Sequence, residues 1–376
     1  MSLAIAGIGW VTPLGSDVPA VWDRLLKGEK ATTQEISTRL NSRTYPVFRV
    51  PSDALANIPA HPRLRRASAI SRFTVSAALS ALNDAKLNVD LTVAARTAVI
   101  FATSNSGVIY TTRFYHDIID SGPQAASPLL FPETVFNAPA SHLTAILGMT
   151  GASYTVVGDG AVGVLALKMA EDLMEDERLD YCIVVGAEEA DWVLCDAYRK
   201  WRLHRSDPPI ELFHEPPRGM ILSEGAGAVV LAREGNVRIE KIDSGGNFLR
   251  QKDAAGWIDK IFADLGLEKI GLIVGSANGT FIDQAERKAW LRHCPHSAFY
   301  TPKPALGEGV SAGGLWQIVC AVQALRTKQI PPLLHVAEHT GLEVSSARGA
   351  QAKFQHALVS VCGLNQQVAG LLLALE

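Results

Sequence analysis

Apolar positions along the chain form two kinds of segment, short continuous runs and longer stretches with helical spacing. Short apolar runs, typical of buried strands, occupy residues 3–8, 97–102, 179–188 and 237–242. Apolar side chains three and four positions apart, typical of amphipathic helices, occupy residues 18–27, 63–86, 108–119 and 164–174. The polar, proline-containing segment 31–61 predicts irregular surface loops. This alternation of strands and helices predicts an α/β protein.

Composition narrows the class of protein. With 376 residues, 48% of them hydrophobic and 19% charged, the chain can bury a large sheet-rich core. A net charge of −3 argues against a nucleic-acid-binding surface, and the apolar runs are too short to span a membrane. Residues 1–7 lack the basic region of a signal peptide, and the five cysteines show no C-x-x-C spacing. These features predict a soluble, cytoplasmic chain with free thiols.

A second series of strand, loop and helix begins near residues 234–236. No low-complexity linker precedes it. We therefore expect two halves, residues 1–235 and 236–376, that pack as one body.

Residues 155–163, Thr-Val-Val-Gly-Asp-Gly-Ala-Val-Gly, predict a strand-to-helix elbow. Such an elbow brings one side chain and several helix N-terminal amides to the point where a nucleophile usually lies. Its apex here is Gly160, which has no nucleophile. Taken alone, the glycines indicate only a tight turn.

The surrounding motifs carry a family resemblance. Phe-Pro-Glu-Thr-Val-Phe-Asn at 131–137, with His142 and residues 147–163, resembles F-P-x-x-x-x-N-x-x-x-x-H followed by G-x-x-x-T-V-x-x-A-C-A-S-G. Residues 212–232 resemble P-F-D-x-x-R-x-G-x-x-x-x-E-G-A-G, with Glu224 as a structural acid. Both blocks are similar to the β-ketoacyl synthase family of the thiolase fold. The resemblance implies two pseudo-repeated α/β halves in a five-layered αβαβα sandwich, and it places the acyl-accepting cysteine at Gly160.

The C-terminal half is where the resemblance implies two catalytic histidines. Residues 270–286 resemble a strand followed by H-G-T-x-T-x-x-x-D-x-x-E, and a gap-free alignment on Asp283 and Glu286 puts the first histidine at Gly275. Residues 301–314 resemble K-x-x-x-G-H-x-x-G, which retains Lys303 and puts Glu308 at the second histidine. The family's channel-gating phenylalanine corresponds to Leu364.

These replacements remove the chemistry of condensation. Loss of the nucleophile at Gly160 costs about 10⁶ in rate by analogy with other covalent catalysts. Loss of a donor at Gly275 costs about 3 kcal/mol of transition-state stabilisation. An ionised Glu308 about 4 Å from a developing enolate would repel it by about 4 kcal/mol. We therefore expect the chain to be inactive alone in Claisen condensation.

The resemblance implies a role for such a chain as a chain length factor. In type II polyketide systems these subunits pair with an active ketosynthase and act on acyl carrier protein. They lose the same H-G-T-x-T residues, although the better-known ones carry glutamine at the elbow. Short loops favour the aryl polyene branch. The partners are expected to associate through the strand after the elbow and the 108–119 helix.

Two groups of side chains are candidates for substrate and carrier-protein contacts. One face of the 108–119 helix, together with the gate residue, is expected to line the acyl tunnel: Val108, Ile109, Thr112, Tyr115, His116 and Leu364. An arginine cluster forms either a docking patch for an acidic carrier protein or a solvated helix end: Arg63, Arg65, Arg66 and Arg72.

Two alternatives to a chain length factor remain open. The chain could be a stand-alone acyl-thioester enzyme, a decarboxylase or acyltransferase, that uses Glu308 or Asp159, although Asp159 also fits a helix N-terminal acid stabilised by amides. It could instead be a scaffold that only stabilises its partner. No cofactor is expected, since Gly7-Ile-Gly9 lacks the third glycine of a dinucleotide loop. No metal is expected either, since His335 and His339 would supply only two ligands.

Overall fold

The computed structural model describes residues 3–38, 42–56, 58–265, 270–337 and 354–376. Within these ranges the strands are β1 (Leu3–Val11), β2 (Thr33–Ser37), β3 (Thr44–Phe48), β4 (Thr97–Thr103), β5 (Ser153–Val157), β6 (Tyr181–Glu188), β7 (Gly225–Ala232), β8 (Val237–Asn247), β9 (Ile270–Val274), β10 (Ala298–Tyr300), β11 (His356–Cys362) and β12 (Gln367–Leu375). The α-helices are α1 (Val18–Leu26), α2 (Ala69–Asp84), α3 (Leu91–Ala95), α4 (Val108–Ser121), α5 (Ala138–Leu147), α6 (Val162–Leu173), α7 (Trp192–Lys200), α8 (Ala254–Leu265), α9 (Phe281–His293), α10 (Lys303–Leu306) and α11 (Ser311–Thr327). Short 3-10 helices cover Ser52–Leu55, Pro62–Arg65, Pro123–Ala125, Phe131–Thr134 and Gln251–Asp253.

The main sheet is built from two copies of one strand pattern. Its order is β10-β9-β11-β12-β8-β1-β7-β6-β4-β5. Outward from the centre, β1-β7-β6-β4-β5 and β8-β12-β11-β9-β10 both have two antiparallel pairings followed by two parallel ones. Antiparallel pairing of β1 with β8 joins the copies. The internal repeat is therefore visible in the topology, although the sequence alone does not reveal it.

Helices separate the two halves and cover their outer faces. On β4, alternate side chains point to different cores: Ala98 and Ile100 lie in the core that contains α6 and α11, whereas Val99 and Phe101 pack with α2. On β12, Leu371 faces the same central core and Leu372 packs with α8. The layers are thus α2 and α5, the first half-sheet, α6 and α11, the second half-sheet, and α8 with α9. The predicted five-layered αβαβα sandwich is confirmed. We propose residue 236, between β7 and β8, as the start of the second half.

The described part of segment 31–61, which excludes residues 39–41 and 57, contains more regular secondary structure than predicted. Strands β2 and β3 form an antiparallel ribbon. Tyr45, Val47 and Phe48 are buried in the core of the second half. The prediction of irregular surface loops was wrong here because this burial depends on tertiary contacts. Both strands of a two-stranded ribbon are edge strands. An edge strand tolerates the proline at position 46, because a residue without an N–H group need not break a ladder hydrogen bond there.

The predicted 63–86 helix begins later than expected. Residues 62–65 form a 3-10 turn, and α2 starts after Ser68, whose Oγ accepts a hydrogen bond from the Ser71 amide. Helix α2 then lies directly on β1. A Cβ at Gly7 would lie 2.1 Å from the Ala81 carbonyl oxygen, so this glycine permits close packing of the helix on the strand.

The strand expected to carry the subunit interface was wrongly assigned. The strand after the elbow is β6, which is hydrogen-bonded on both sides, to β4 and β7, and is almost entirely buried. A strand paired on both sides has no free main-chain edge for a second subunit. The sheet has its two edges at β10 and β5, and β5 is the strand before the elbow, where Tyr154 and Val157 are exposed.

Candidate functional site

The elbow forms as the sequence predicts, and a neighbouring loop covers it. Between β5 and α6 the chain turns at Gly160, which is buried. A Cβ at Gly160 would lie 3.1 Å from the Gly363 Cα and 3.6 Å from the Cys362 carbonyl oxygen. Gly363 begins the hairpin loop (residues 363–366), which joins β11 to β12. The apex therefore lacks a nucleophile, and the hairpin loop closes over the place where one would project.

Asp159 points from the elbow into the hairpin loop. Its Oδ2 accepts hydrogen bonds from the amides of Asn365 (2.6 Å) and Gln366 (3.0 Å). Burial raises the pKa of Asp159, while these amides and those of Gly160 and Leu364 act in the opposite direction. Asp159 is therefore an acid stabilised by amides, as expected, but most of these amides belong to the hairpin loop and not to the helix N-terminus. A general acid or base, by contrast, needs a clear path from its carboxylate to a substrate.

Gly275 has no room for an imidazole. A Cβ there would lie 2.4 Å from the Phe299 ring and 2.7 Å from Glu286 Oε2. The side chain of Asn278, which is fully buried, contacts Glu308 at the position predicted for the second histidine. Sequence reasoning missed Asn278, although Asn-Gly-Thr at 278–280 matches H-G-T once the gap is allowed. In this chain Asp283 lies five positions after Asn278, whereas in the motif the aspartate lies eight positions after the histidine.

The retained Asp283 and Glu286 hold this loop in place. Asp283 accepts a hydrogen bond from the Asn278 amide (2.8 Å), and Glu286 accepts hydrogen bonds from the amides of Ser276 (2.9 Å) and Ala277 (2.8 Å). Burial raises the pKa of Asp283 to about 6 and that of Glu286 to about 7. Both carboxyls are buried and face main-chain amides, so the D-x-x-E motif has a structural role that does not depend on catalytic histidines.

Lys303, Glu308 and Asn278 form a closed polar cluster. Lys303 Nζ lies 2.6 Å from Glu308 Oε1, and Asn278 Nδ2 donates to Glu308 Oε2 at 2.7 Å. The Val310 amide also donates to Oε1, at 2.9 Å. The side chains of Lys303 and Glu308 are each 3% exposed. Because Lys303 balances its charge and both of its oxygens have partners, Glu308 is poorly placed to act as a base.

No imidazole or reactive thiol joins this cluster among the residues that the structure describes. Hydrogen bonds and ion pairs of Lys303, Glu308 and Asn278 involve no histidine. All five cysteines are buried. Cys362 lies nearest the elbow, and burial raises the pKa of its thiol well above the ordinary value. A thiol in that state is protonated and unreactive at neutral pH.

The predicted tunnel residues lie in two environments. No residue of α4 is buried, and Tyr115 is exposed. The Nδ1 atom of His116 lies 2.7 Å from the Thr112 carbonyl oxygen within the helix. Leu364 is instead buried in the hairpin loop. Val108, Ile109, Thr112 and His116 are thus only partly exposed in the isolated chain, and their role in a tunnel remains a prediction.

Helix α4 belongs to a larger exposed apolar surface. It packs on the 3-10 helix Phe131–Thr134, with Phe114 and Phe131 in ring contact. The free edge of β5 ends beside the turn that leads into α4, because Val157 pairs with Thr103. We call the exposed apolar side chains of this region the apolar face: Tyr115, Ile119, Leu129, Phe131, Val135, Phe136, Tyr154 and Val157.

Three of the four predicted arginines line one cleft beside the apolar face. Arg65, Arg66 and Arg72 surround a cleft of about 660 Å³ with Arg113 of α4, which sequence reasoning missed. Arg63 is exposed but does not line it. Asp117 also lines the cleft, which leaves an excess of positive charge. The arginine spacing within residues 63–72 could not reveal Arg113, because Arg113 comes from a separate helix, α4.

Metal and membrane sites are not apparent in the described ranges. No group of three or more His, Cys, Asp or Glu residues there could hold a metal ion. His339 lies outside those ranges, so the prediction about its pairing with His335 is untested. None of the described helices has the length and hydrophobicity needed to cross a bilayer.

Solved structures share this fold across the whole chain. The ishigamide ketosynthase/chain length factor superposes with a TM-score of 0.86 at 18% identity, covering 100% of this chain and 99% of that one. The ketosynthase ApeO in complex with its chain length factor ApeC, from Xenorhabdus doucetiae, gives a TM-score of 0.83 at 16% identity, covering 100% and 98%. At these identities the similarity shows a thiolase-like ketosynthase fold.

Sequence comparison identifies the family. The 3-oxoacyl-[acyl-carrier-protein] synthase 2 of Staphylococcus aureus (strain COL) is 26% identical over 258 residues, which is 65% of this chain and 62% of that protein. The chain thus spans less than two thirds of the length of this curated relative. The beta-ketoacyl synthase N-terminal domain model matches residues 2–236, and the C-terminal domain model matches residues 243–337. The chain belongs to the β-ketoacyl synthase family.

Proposed function

We propose that this chain is a catalytically silent, chain-length-factor-like subunit. It pairs with an active β-ketoacyl synthase in type II polyketide biosynthesis, of the aryl polyene type. The observation that carries the proposal is the elbow, where Gly160 replaces the nucleophile and the hairpin loop covers the apex. Condensation needs a thiolate at that point to hold the acyl group. The closed Lys303–Glu308–Asn278 cluster supports the same conclusion for the imidazole positions.

The apolar face supports pairing with a second ketosynthase-like subunit. It combines a free strand edge at β5 with large exposed apolar side chains on α4 and the 3-10 helix Phe131–Thr134. A homologous subunit could add its own edge strand to β5 and bury α4, which would satisfy the main-chain groups and the apolar side chains together. Two of the similar structures are named as ketosynthases with chain length factors, which makes an active ketosynthase the occupant we propose.

Experiments can distinguish a chain length factor from the two alternative functions, a stand-alone enzyme and a stabilising scaffold. A stand-alone decarboxylase or acyltransferase would need Glu308 or Asp159 to give up hydrogen bonds that they already make. A purely stabilising scaffold would have the same interface but no influence on product length. No cofactor is part of the proposal, and a cytoplasmic location, expected from composition, stays a prediction.

Reconstitution tests the function directly. We expect the active ketosynthase partner to elongate acyl groups from malonyl carrier protein only when this chain is present, and we expect this chain alone to turn over nothing. If α4 forms a tunnel wall, Thr112→Ala and His116→Ala in the pair shift the distribution of product lengths, as measured by mass spectrometry, because they widen the tunnel.

Matched controls separate the possible roles. Thr92→Ala and His296→Ala change exposed residues away from α4 and should leave product lengths unchanged. Unchanged lengths in the α4 variants would reject the tunnel. A ketosynthase that is equally active without this chain would reject the required pairing. Turnover by this chain alone would favour the stand-alone enzyme.

The arginine cleft is the proposed docking site for the acidic carrier protein. We expect Arg65→Glu with Arg66→Glu to weaken binding of the carrier protein to the pair about tenfold at low salt, because two attractive charges become repulsive. The effect should shrink as salt is raised. The same charge change at Lys252 and Lys288, both exposed elsewhere, is the control. Equal losses from both pairs of substitutions, measured by titration calorimetry, would mean that the cleft does not dock the carrier.

A further inference from the structure

Main-chain amides from both halves of the protein meet at the carboxylate of Asp159. Gly160 contributes from the elbow of the first half. Leu364, Asn365 and Gln366 contribute from the hairpin loop of the second half, with the last two at 2.6 and 3.0 Å from Oδ2. Several N–H groups directed at one carboxylate are typical of an anion-binding site in proteins. In this chain the anion is an internal side chain.

The surrounding main chain is closely fitted to this carboxylate. A Cβ at Gly363 would lie 2.1 Å from Asp159 Oδ2 and 2.4 Å from its Cγ, so only glycine fits there. The same Cβ would lie 2.9 Å from the Gly160 nitrogen. Asp159 itself is 4% exposed. The hairpin loop can therefore approach the elbow this closely only because residue 363 has no side chain.

Amides at a strand-to-helix elbow have a recognised chemical use. In acyl transfer they donate hydrogen bonds to the oxygen that becomes negative at the reacting carbonyl. A donor that already binds a buried carboxylate is not free to bind a thioester oxygen. Asp159 would therefore prevent these amides from binding an acyl oxygen, and this effect is separate from the missing nucleophile at Gly160.

We propose that the amides of Gly160, Leu364, Asn365 and Gln366 form a carboxylate-binding cradle. Asp159 fills this cradle and thereby locks the hairpin loop over the elbow. The lock joins the two halves where an open acyl site would otherwise lie, and it makes the elbow unable to accept an acyl oxygen even if a thiol were introduced. It does not depend on the proposed pairing with a ketosynthase.

Removing the carboxylate and supplying it from solution tests the cradle. In Asp159→Ala we expect amide hydrogen exchange across residues 363–366 to become at least about tenfold faster than in the unmodified protein, because hydrogen bonds to a charged group are lost. Sodium formate, which replaces the deleted group, should slow that exchange again in a saturable way. Formamide, its neutral counterpart, should not.

Two further variants serve as a control for loosened packing and as a replacement if Asp159→Ala does not fold. Val361→Ala loosens the buried strand next to the loop without removing the anion, so formate should have no specific effect on it. If Asp159→Ala does not fold, Asp159→Asn keeps the side-chain shape, and we expect faster exchange at 363–366 with no response to formate. Unchanged exchange in the variant that folds, or equal effects of formate and formamide on Asp159→Ala, would overturn the cradle.

Discussion

Ile119→Glu combined with Phe131→Glu is expected to abolish pairing with the ketosynthase while leaving the fold of this chain intact. The two side chains are 76% and 57% exposed in the isolated chain, so charges there cost the monomer little. In the proposed complex each position becomes buried. Each substitution then loses about 1.5–3 kcal/mol of apolar burial and adds the cost of desolvating a carboxylate. The dissociation constant should rise by about a thousandfold or more, measured by titration calorimetry or analytical ultracentrifugation.

Other exposed leucines provide the control for this experiment. Leu91 and Leu249 are 86% and 97% exposed and lie outside the apolar face, so Leu91→Glu with Leu249→Glu should leave pairing unchanged. Unfolding curves that superpose for all three proteins would show that the fold is retained. Pairing that survives the Ile119 and Phe131 changes would place the ketosynthase on another surface. Loss of pairing in the leucine control would show that added charge alone is responsible.

The elbow could be predicted because its signal is local. Residues 155–163 keep the order and spacing of the family block, so the turn and the glycine at its apex follow from the sequence. The closure of the elbow could not be predicted. It depends on Gly363, which lies 203 positions away along the chain, and on an aspartate whose orientation only the folded structure fixes. Contacts between distant segments of this kind leave no periodic pattern.

The polar cluster shows a second limit of sequence reasoning. Lys303 and Glu308 could be predicted because the motif that contains both aligns without a gap. Asn278 was missed because the segment before Asp283 is shorter than in the family motif, and a gap-free alignment cannot represent a deletion. Similarly, the burial of β3 and the identity of the edge strand are set by tertiary packing, whereas hydrophobic periodicity reports only local structure.

Asp283 and Glu286 have a structural role that does not require catalysis. They bind main-chain amides of the loop that carries Asn278, so their loss would leave several buried donors without partners. Glu308, at the position of the second histidine, is likewise held by buried partners: Lys303, Asn278 and the Val310 amide.

The Lys303–Glu308 pair is a buried ion pair within the cluster that includes Asn278. Its two side chains are 3% exposed, and their charged atoms lie 2.6 Å apart. Removing one partner of such a pair leaves a charge without compensation in a dry interior, which costs about 3–5 kcal/mol. Removing both charges together avoids that penalty, because the remaining polar atoms are neutral. The two positions should therefore be strongly coupled in stability.

Lys303→Met is accordingly expected to lower the free energy of unfolding by about 3–5 kcal/mol, and Glu308→Gln by a similar amount. The double variant should lose much less than the sum, because the amide side chain introduced at position 308 keeps a carbonyl acceptor near Asn278 and Val310. Urea unfolding with a common m-value measures this coupling. The exposed pair Lys260 and Asp264 is the control, and its loss should cost less than about 1 kcal/mol. Additive losses at 303 and 308 would mean that the cluster is not the closed ion pair described above, and an open, solvated Glu308 would again be a candidate base.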